Sequence, residues 1–337
     1  MSKFPKINYI GNKKKISPWI LDNLPIKEGI FLDLFSGGGA VSYEAKKRGF
    51  EIIGNDILYS NYILNKAIIE NNFIKLEDKD FLVNIPIKLI EKKYVEINFL
   101  NEVLYYKNEV LELAKYLCVA ETYKSYKKFM MLSLIRRAMI RKLPYSRMNI
   151  PWKQIIKLRD EEYSYEKYGR KRAYHNKSFK ELIFEDLDNY NNAIFFNGLN
   201  HKIYNLDYKK LIKKIEFVDL IYLDPPYPST MNKYSDFYGM YDKMLDKEKI
   251  KYTNLTSKDT FLNEIEKLLK NVVEKTKFVV LSLNDNVKPS VEEFVKIFEK
   301  YGVVSVLNKK HQYKVTGKKN KNLSKEILII LEVNLYE

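Results

Sequence analysis

Short apolar runs and longer amphipathic stretches alternate along this chain of 337 residues. The short runs are rich in β-branched and aromatic residues, and they predict buried strands at 31–35, 51–56, 217–223, 278–283, 303–307 and 327–335. Apolar residues that recur at helical spacing predict helices at 40–48, 57–71, 101–117, 122–141, 259–275 and 290–301. Strands that alternate with helices in this way are typical of an α/β protein with a largely parallel sheet.

The composition is that of a folded protein without disulfide or metal chemistry. A hydrophobic fraction of 46% with regular periodicity excludes a disordered chain. Cys118 is the only cysteine and lies in a stretch with helical periodicity, so we expect a buried apolar thiol. The three histidines are scattered and lack metal-ligand spacing, so no metal is expected. No apolar run approaches the roughly 18 residues that span a bilayer, and the chain starts polar, so we expect a cytoplasmic protein.

Positive charge is concentrated in one part of the sequence. The net charge is +16, and residues 136–180 contain fourteen lysines and arginines against four acids. A phosphate-rich partner explains this concentration. A lysine-rich proteome would explain scattered lysines, but it explains clustered arginines poorly. We therefore predict that this stretch binds nucleic acid, with six arginines as candidates: Arg136, Arg137, Arg141, Arg147, Arg170 and Arg172.

A glycine-rich turn follows the first predicted strand. Ser36-Gly37-Gly38-Gly39 separates that strand from a helix, an order typical of nucleotide-binding crossovers. Glycines let the backbone approach a ligand closely, although similar turns in α/β proteins often bind nothing. The second predicted strand ends in Asp56, an acid about twenty residues past the glycines, where such folds bind ribose hydroxyls. The alternative is that Asp56 caps the following helix.

The sequence Asp224-Pro225-Pro226-Tyr227 ends the predicted strand at 217–223. Open α/β sheets bind ligands at the carboxyl ends of their strands. The Asp224 carboxylate and the backbone carbonyls beside Pro225 are acceptors that can take both hydrogens of an exocyclic amine, restoring its lone pair. Tyr227 offers a ring for stacking on a base. The alternative is a proline-capped strand end with a surface aspartate.

Taken in chain order, these elements resemble the D12-class (Dam-like, alpha-group) adenine-specific DNA methyltransferases. The resemblance rests on Phe35-Ser36-Gly37-Gly38-Gly39, Asp56, a long basic insertion and Asp-Pro-Pro-Tyr. Residues 5–13 are similar to the family's first motif, and residues 325–329 are similar to its closing strand. At 205–208 the chain has Tyr208 where the family has phenylalanine. The basic insertion has no segment that matches a known target sequence.

The resemblance implies S-adenosylmethionine as the methyl donor and assigns roles to individual residues. Asp224, Pro225, Pro226 and Tyr227 are the expected catalytic residues. The expected cofactor contacts lie in four places along the chain: Tyr9 and Lys13 in the first motif, Asp33, Phe35, Gly37 and Gly39 around the glycine turn, Asp56 at the ribose, and Asp207 and Tyr208 beside the cofactor adenine. Asp33 and Gly37 are expected to line the methionyl amine.

The implied fold is a Rossmann-like S-adenosylmethionine-dependent methyltransferase sheet with an inserted, mostly helical target-recognition domain. We expect the catalytic domain at 1–72 and 194–337 and the recognition domain at 73–193. The expected partner is double-stranded DNA. A cognate restriction endonuclease is also expected as a partner. A monomeric state is expected, because methylation of one flipped base requires one copy of the enzyme.

An adenine inside a duplex cannot reach a methyl donor, so the base must be flipped out. We predict that residues 228–241 form a loop over this base, with Phe237 or Tyr241 stacking on it. The alternative is an ordinary surface loop with its rings against the core. Three other functions remain open: transfer to the N4 amine of cytosine, transfer to a protein amide, and a catalytically silent DNA-binding regulator.

Overall fold

The computed structural model describes residues 2–9, 11–169, 175–226, 228, 234–247, 252–257, 259–285, 287–311 and 324–334. The chain forms two compact units, and each unit is assembled from three segments. The unit that contains the sheet, here called the sheet unit, comprises Lys13–Ile57, Asn197–Lys233 and Lys249–Glu337. The other, here called the helical unit, comprises Met1–Asn12, Leu58–Phe196 and Tyr234–Glu248.

The sheet unit is built on one seven-stranded sheet, which confirms the predicted α/β class. Its strands, in chain order, are β1 (Ile30–Asp33), β2 (Glu51–Asn55), β3 (Lys202–Tyr204), β4 (Val218–Leu223), β5 (Thr276–Asn284), β6 (Gly302–His311) and β7 (Ser324–Val333). In space the order is β3-β2-β1-β4-β5-β7-β6. The first five strands are parallel, whereas β7 runs antiparallel to both β5 and β6. The carboxyl ends of β1, β2, β3, β4 and β5 therefore meet at one edge of the sheet.

The α-helices are α1 (Ser17–Asp22), α2 (Ala40–Lys47), α3 (Tyr59–Asn65), α4 (Ile87–Ile97), α5 (Lys107–Thr122), α6 (Ser125–Arg141), α7 (Trp152–Arg159), α8 (Glu161–Tyr168), α9 (Phe179–Asn191), α10 (Tyr208–Lys214), α11 (Tyr234–Met244), α12 (Phe261–Val272) and α13 (Val291–Phe298). A π-helical turn, Lys66–Glu70, continues α3. Short 3-10 turns lie at Lys13–Lys15, Asp78–Phe81, Asn98–Leu100, Pro144–Ser146 and Val273–Lys275.

The core of the sheet unit lies between one face of the sheet and the helices α10, α12 and α13. Strand residues such as Ile221 and Leu281 pack with Leu268 of α12 and Phe294 of α13 in one cluster of buried apolar side chains. Helix α13 begins where the sequence predicts, because the Ser290 side chain accepts a hydrogen bond from the Glu293 amide in a capping box. This packing holds the strands in place, and with them the residues that follow the carboxyl ends of β1, β2 and β4.

The helical unit is organised around α6, which packs against α3, α5 and α9. Cys118 of α5 is buried, as predicted. Helix α11 packs against α3, so the segment that contains it belongs to this unit. The two units therefore divide the chain at other positions than the predicted boundaries at 72 and 194. Residues 1–12, 58–72 and 234–248 lie with the helices rather than with the sheet.

Helix α11 shows that the predicted loop at 228–241 is wrong from residue 234 onward. Phe237, Tyr238, Tyr241 and Met244 are all buried. Their spacing is that of one helical face, and the polar residues and glycine between them hide this pattern in the sequence. Residues 229–233 lie outside the described part of the chain.

A buried carboxylate joins three segments of the helical unit. Glu109 of α5 lies 2.8 Å from the Lys142 ammonium and 2.5 Å from Nη2 of Arg159. Burial alone would raise the pKa of Glu109, but the hydrogen bonds from Arg159 and the charge of Lys142 hold it below its ordinary value. The carboxylate is therefore ionised, and it pairs with two cations that are themselves buried.

Substitution of Glu109 by glutamine is expected to lower the free energy of unfolding of the protein by about 3–5 kcal/mol, because two buried cations lose the carboxylate that contacts them. Urea denaturation followed by circular dichroism measures the change. Glu121→Gln, on the same helix, is the matched control, since Glu121 pairs with Lys93 at the surface, where ion pairs contribute little. Equal losses in the two variants would contradict this account of the cluster.

Candidate active site

Three aspartates of the sheet unit lie at or just beyond the carboxyl ends of neighbouring parallel strands. Asp33 is the last residue of β1, Asp56 follows β2, and Asp224 follows β4. Burial raises the pKa of Asp33 to about 7; a hydrogen bond from Ser42 opposes this, and the charges of Asp224 and Asp56 add to it. The three predicted residues therefore lie close enough for the charges of Asp224 and Asp56 to act on Asp33.

The glycine turn between β1 and α2 is tied to the end of β2. The Gly37 amide donates to Oδ2 of Asp56 at 2.8 Å, and both the amide and the hydroxyl of Ser36 donate to the Asn55 carbonyl. Gly37 and Gly39 have φ values of 50° and 77°, in the left-handed region that favours glycine. These hydrogen bonds and the left-handed glycines fix the backbone of the turn, which holds the start of α2 next to the Asp56 carboxylate.

Asp33 has an acceptor atom that none of the described residues uses. Its side chain is buried, and Oδ2 accepts a hydrogen bond of 2.6 Å from the Ser42 hydroxyl. Oδ1 is also buried and has no hydrogen-bond partner among the described residues. Buried carboxylate oxygens are normally satisfied, so an unused one at the end of a strand is a candidate contact for a ligand donor.

The start of α3, which the alternative interpretation has Asp56 cap, is bound by another carboxylate. The first amides of α3, those of Tyr59 and Ser60, donate instead to the Asp242 carboxylate at 3.0 and 2.8 Å. The side chain of Asn205, after β3, donates to the carbonyls of Asp56 and Ile57 at 2.7 and 3.0 Å. This bond fixes the backbone on which the Asp56 carboxylate is presented.

Asp207 and Tyr208 both have structural contacts in the sheet unit. Asp207 caps α10 by accepting from the Lys209 amide at 2.9 Å, and it also accepts from the Thr253 amide at 2.7 Å. The Tyr208 ring lies 5.6 Å from the Phe35 ring. The structure therefore brings Tyr208 beside Phe35 of the glycine turn.

Asp224 occupies the position where β4 ends, and Pro225 and Pro226 prevent the strand from continuing. The Lys13 ammonium lies 3.2 Å from its Oδ1. Burial raises the pKa of Asp224 to about 6, with the charge of Lys13 opposing this rise and the charge of Glu326 adding to it. Asp224 is consequently a carboxylate at pH 7, able to accept hydrogen bonds. Tyr227, the last residue of the motif, lies outside the described part of the chain.

Lys13 contacts a second carboxylate that our sequence analysis did not single out. Its ammonium donates to Oε1 of Glu326 on β7 at 2.6 Å, and the Ser282 hydroxyl on β5 donates to the same oxygen at 2.5 Å. The one feature of the local sequence that could have indicated Glu326 is its position, as a charged residue directly before the apolar residues of the closing strand.

Tyr9 belongs to the helical unit, where its ring stacks on that of Tyr238 at 5.3 Å. The Asn61 amide donates to the Tyr9 hydroxyl at 3.4 Å. Phe237 and Tyr241, the predicted base-stacking residues, are 4% and 0% exposed. The Tyr241 hydroxyl donates to the Leu132 carbonyl at 2.6 Å. Both rings are thus part of the packing of α11 in this conformation, as in the alternative in which the rings lie against the core.

Two of the six predicted DNA-binding arginines are buried, so these two do not offer their side chains to a partner at the surface. Arg136 and Arg137 are buried on the packed face of α6. Arg137 and Arg141 both pair with Asp186 of α9, at 3.1 and 2.8 Å. The Arg147 guanidinium lies 5.3 Å from the Phe237 ring. Two further candidates, Arg170 and Arg172, lie outside the described residues.

Two classes of feature are absent from the described residues. No helix in the described ranges has the length and apolarity that a membrane crossing requires. Within the same ranges, no group of three or more histidines, cysteines or acids is arranged to bind a metal ion.

A protein-family model and several methyltransferases match most of this chain. The sequence profile described as D12 class N6 adenine-specific DNA methyltransferase matches residues 9–315. The type II methyltransferase M2.HphI of Haemophilus parahaemolyticus is 43% identical over 338 residues, which cover 98% of each chain. The modification methylase StsI of Streptococcus sanguinis is 25% identical over 361 residues, covering 96% of this chain and 51% of its own. The type II methyltransferase M.NlaIII of Neisseria lactamica is 22% identical over 346 residues, with coverages of 94% and 95%.

Proposed function

Because this chain belongs to the D12 class of N6 adenine-specific DNA methyltransferases, we propose that the strand ends of the sheet unit form its methyl-transfer site. The observation that carries the proposal is the arrangement of Asp33, Asp56 and Asp224 at the ends of neighbouring strands, together with the unused buried oxygen of Asp33. In this proposal the first two acids hold the methyl donor, and Asp224 holds the adenine amine.

The family uses S-adenosylmethionine, and the residues at the ends of β1 and β2 fit its polar groups. Asp33 Oδ1 is a free acceptor suited to the methionyl ammonium, and the glycine turn leaves room for close approach of a ligand. Asp56 carries a carboxylate suited to ribose hydroxyls. Tyr9, Lys13, Asp207 and Tyr208 keep the cofactor roles that the family motifs imply, as part of this proposal. When bound, S-adenosylmethionine supplies an electrophilic methyl group.

Asp224 and the carbonyls beside Pro225 act on the adenine amine by accepting hydrogen bonds from its two N–H groups. This arrangement localises the nitrogen lone pair and directs it away from the ring plane. The amine then needs no strong base, because alignment and the paired acceptors lower the barrier. Below a pH of about 6, Asp224 takes up a proton and loses acceptor capacity, so transfer should slow as pH falls through this value. Tyr227 is proposed to stack on the flipped base.

The DNA-contacting surface is proposed to include α7 and α8 of the helical unit rather than the buried arginines of α6. Lys153, Lys157 and Lys167 on these helices are exposed, and Tyr165 between them is 58% exposed. Lysines at the surface can neutralise phosphates, while an exposed ring offers a stacking face. We propose 73–193 as the core of the target-recognition region, extended by the other segments that pack with it.

The biological setting is proposed from the names of the relatives. M2.HphI is named as a type II methyltransferase, and StsI is named as a modification methylase. We propose that this chain is the modification enzyme of a type II restriction-modification system, with a cognate endonuclease of the same target sequence. It would act on double-stranded DNA in the cytoplasm as a monomer.

Base flipping provides the test of this proposal. Modification-sensitive sequencing of DNA from a host that produces the protein first identifies the methylated motif. We expect a duplex with 2-aminopurine at the target adenine to gain fluorescence severalfold when the protein binds, because the unstacked base is no longer quenched. The same probe outside the motif is the control and should not respond. Tight binding in a mobility-shift assay without any fluorescence gain would contradict the flipped-base mechanism.

A further inference from the structure

We propose that Glu326 is a positioning residue for the transfer reaction, which fixes the Lys13 ammonium and through it the Asp224 carboxylate. This inference rests on the proposed role of Asp224. The profile match to the family ends at residue 315, so it does not include Glu326. The inference depends on the geometry of three charged side chains from three distant parts of the sequence.

The three groups form a chain of contacts within the sheet unit. Lys13 lies in a 3-10 turn and bridges two carboxylates, with distances of 3.2 Å to Asp224 and 2.6 Å to Glu326. The shorter distance is to Glu326, which lies opposite Asn284 in the antiparallel pairing of β5 with β7. Glu326 is held in turn by the Ser282 hydroxyl. The lysine is thus anchored on the sheet and reaches Asp224 from there.

Burial makes this arrangement unusual for a purely structural ion pair. The side chains of Lys13 and Glu326 are 7% and 0% exposed, whereas that of Asp224 is 21% exposed. Every neighbour of Glu326 from Ile327 to Leu331 is apolar, so a hydrophobic residue would serve the sheet at least as well. A buried glutamate that contacts Lys13, the partner of Asp224, is better explained by a role in the candidate active site than by a role in stabilising the sheet.

The charges that act on Asp224 define what Glu326 does. Lys13 attracts the carboxylate, Glu326 repels it, and two other groups, Asp33 and Tyr222, face the same environment. Glu326 shares the lysine, so Asp224 retains acceptor capacity for the amine. Without the Glu326 charge, the lysine would shift toward Asp224 and occupy the oxygen that the amine needs.

Glu326→Gln is therefore expected to lower kcat by about 10- to 100-fold, the range for a misplaced catalytic group. The KM for S-adenosylmethionine should change little. The acid limb of the kcat profile should move to lower pH, because a negative charge beside Asp224 is removed. Lys13→Met should move the same limb to higher pH. Glu326→Asp, which keeps the charge, should retain part of the parental kcat, and the acid limb of its kcat profile should lie at the parental pH.

Single-turnover rates across pH 5–9, normalised to active sites titrated with labelled S-adenosylmethionine, measure these effects. Glu332→Gln, an exposed change on the same strand, is the matched control and should leave the profile unchanged. A Glu326→Gln protein that loses thermal stability but keeps the parental kcat and acid limb per active site would overturn the inference. If Asp224→Ala is inactive in the same assay, this result contradicts only the role of Glu326. If Asp224→Ala is active, the proposed function of Asp224 is itself contradicted.

Discussion

Asp224→Ala is expected to slow methyl transfer to DNA by at least about 10²- to 10³-fold, the effect of removing one preorganised polar contact to a reacting group. The carboxylate lies at the end of β4 and is ionised at pH 7, so truncation to alanine removes a hydrogen-bond acceptor from this position. Single-turnover transfer from labelled S-adenosylmethionine measures the rate. Affinity for S-adenosylmethionine should stay within a few-fold of the parental value, because the proposed cofactor contacts lie elsewhere.

Glu216→Ala is the matched control for this experiment. Glu216 is an exposed acid that precedes β4, at the opposite end of the strand from Asp224. Its loss should leave the transfer rate unchanged. An Asp224→Ala enzyme that methylates DNA at the parental rate would show that the amine is activated elsewhere.

The second large effect is expected from Asp56→Ala, which should weaken S-adenosylmethionine binding by about 10- to 100-fold. Hydrogen bonds to a charged group contribute about 1.5–3 kcal/mol. Asp56 has two tasks, since it also accepts from the Gly37 amide and so holds the glycine turn. Isothermal titration calorimetry measures the affinity. The transfer rate at saturating cofactor should fall far less than the affinity does.

Glu51→Ala, at the start of the same strand, is the control for Asp56 because it changes an acid away from the site. It should leave the affinity unaltered. If the Asp56→Ala protein bound S-adenosylmethionine with the parental affinity, the assignment of the β2 end to the cofactor would be wrong.

Local sequence chemistry was sufficient to predict the elements that carry the candidate site. The strand before Ser36, the glycine turn and the strand before Asp224 are contiguous signals, and the structure has each of them within one or two residues. Ser290 likewise begins its helix as predicted. Strand β3 escaped prediction because Lys202–Tyr204 is too short to show a period.

Features made by distant residues could not be predicted. Lys13 and Glu326 lie 313 positions apart, and neither carries a local sign of the other. Arg136 and Arg137 were predicted to contact nucleic acid, but their positions on α6 turn them toward the interior. The predicted boundaries assumed one insertion, whereas each unit gathers three segments, including α11 from far downstream. Such assembly depends on packing between helices, which composition does not encode.

The most direct test of the central claim is the identity of the methylated nucleoside. DNA from a host without adenine methylation is incubated with the purified protein and S-adenosylmethionine that carries an isotopic label in its methyl group, then digested to nucleosides and analysed by mass spectrometry. The account predicts that the label appears in N6-methyladenine, and that Asp224→Ala greatly reduces it. Label in N4-methylcytosine, or DNA binding with no label incorporated by the parental protein, would contradict it.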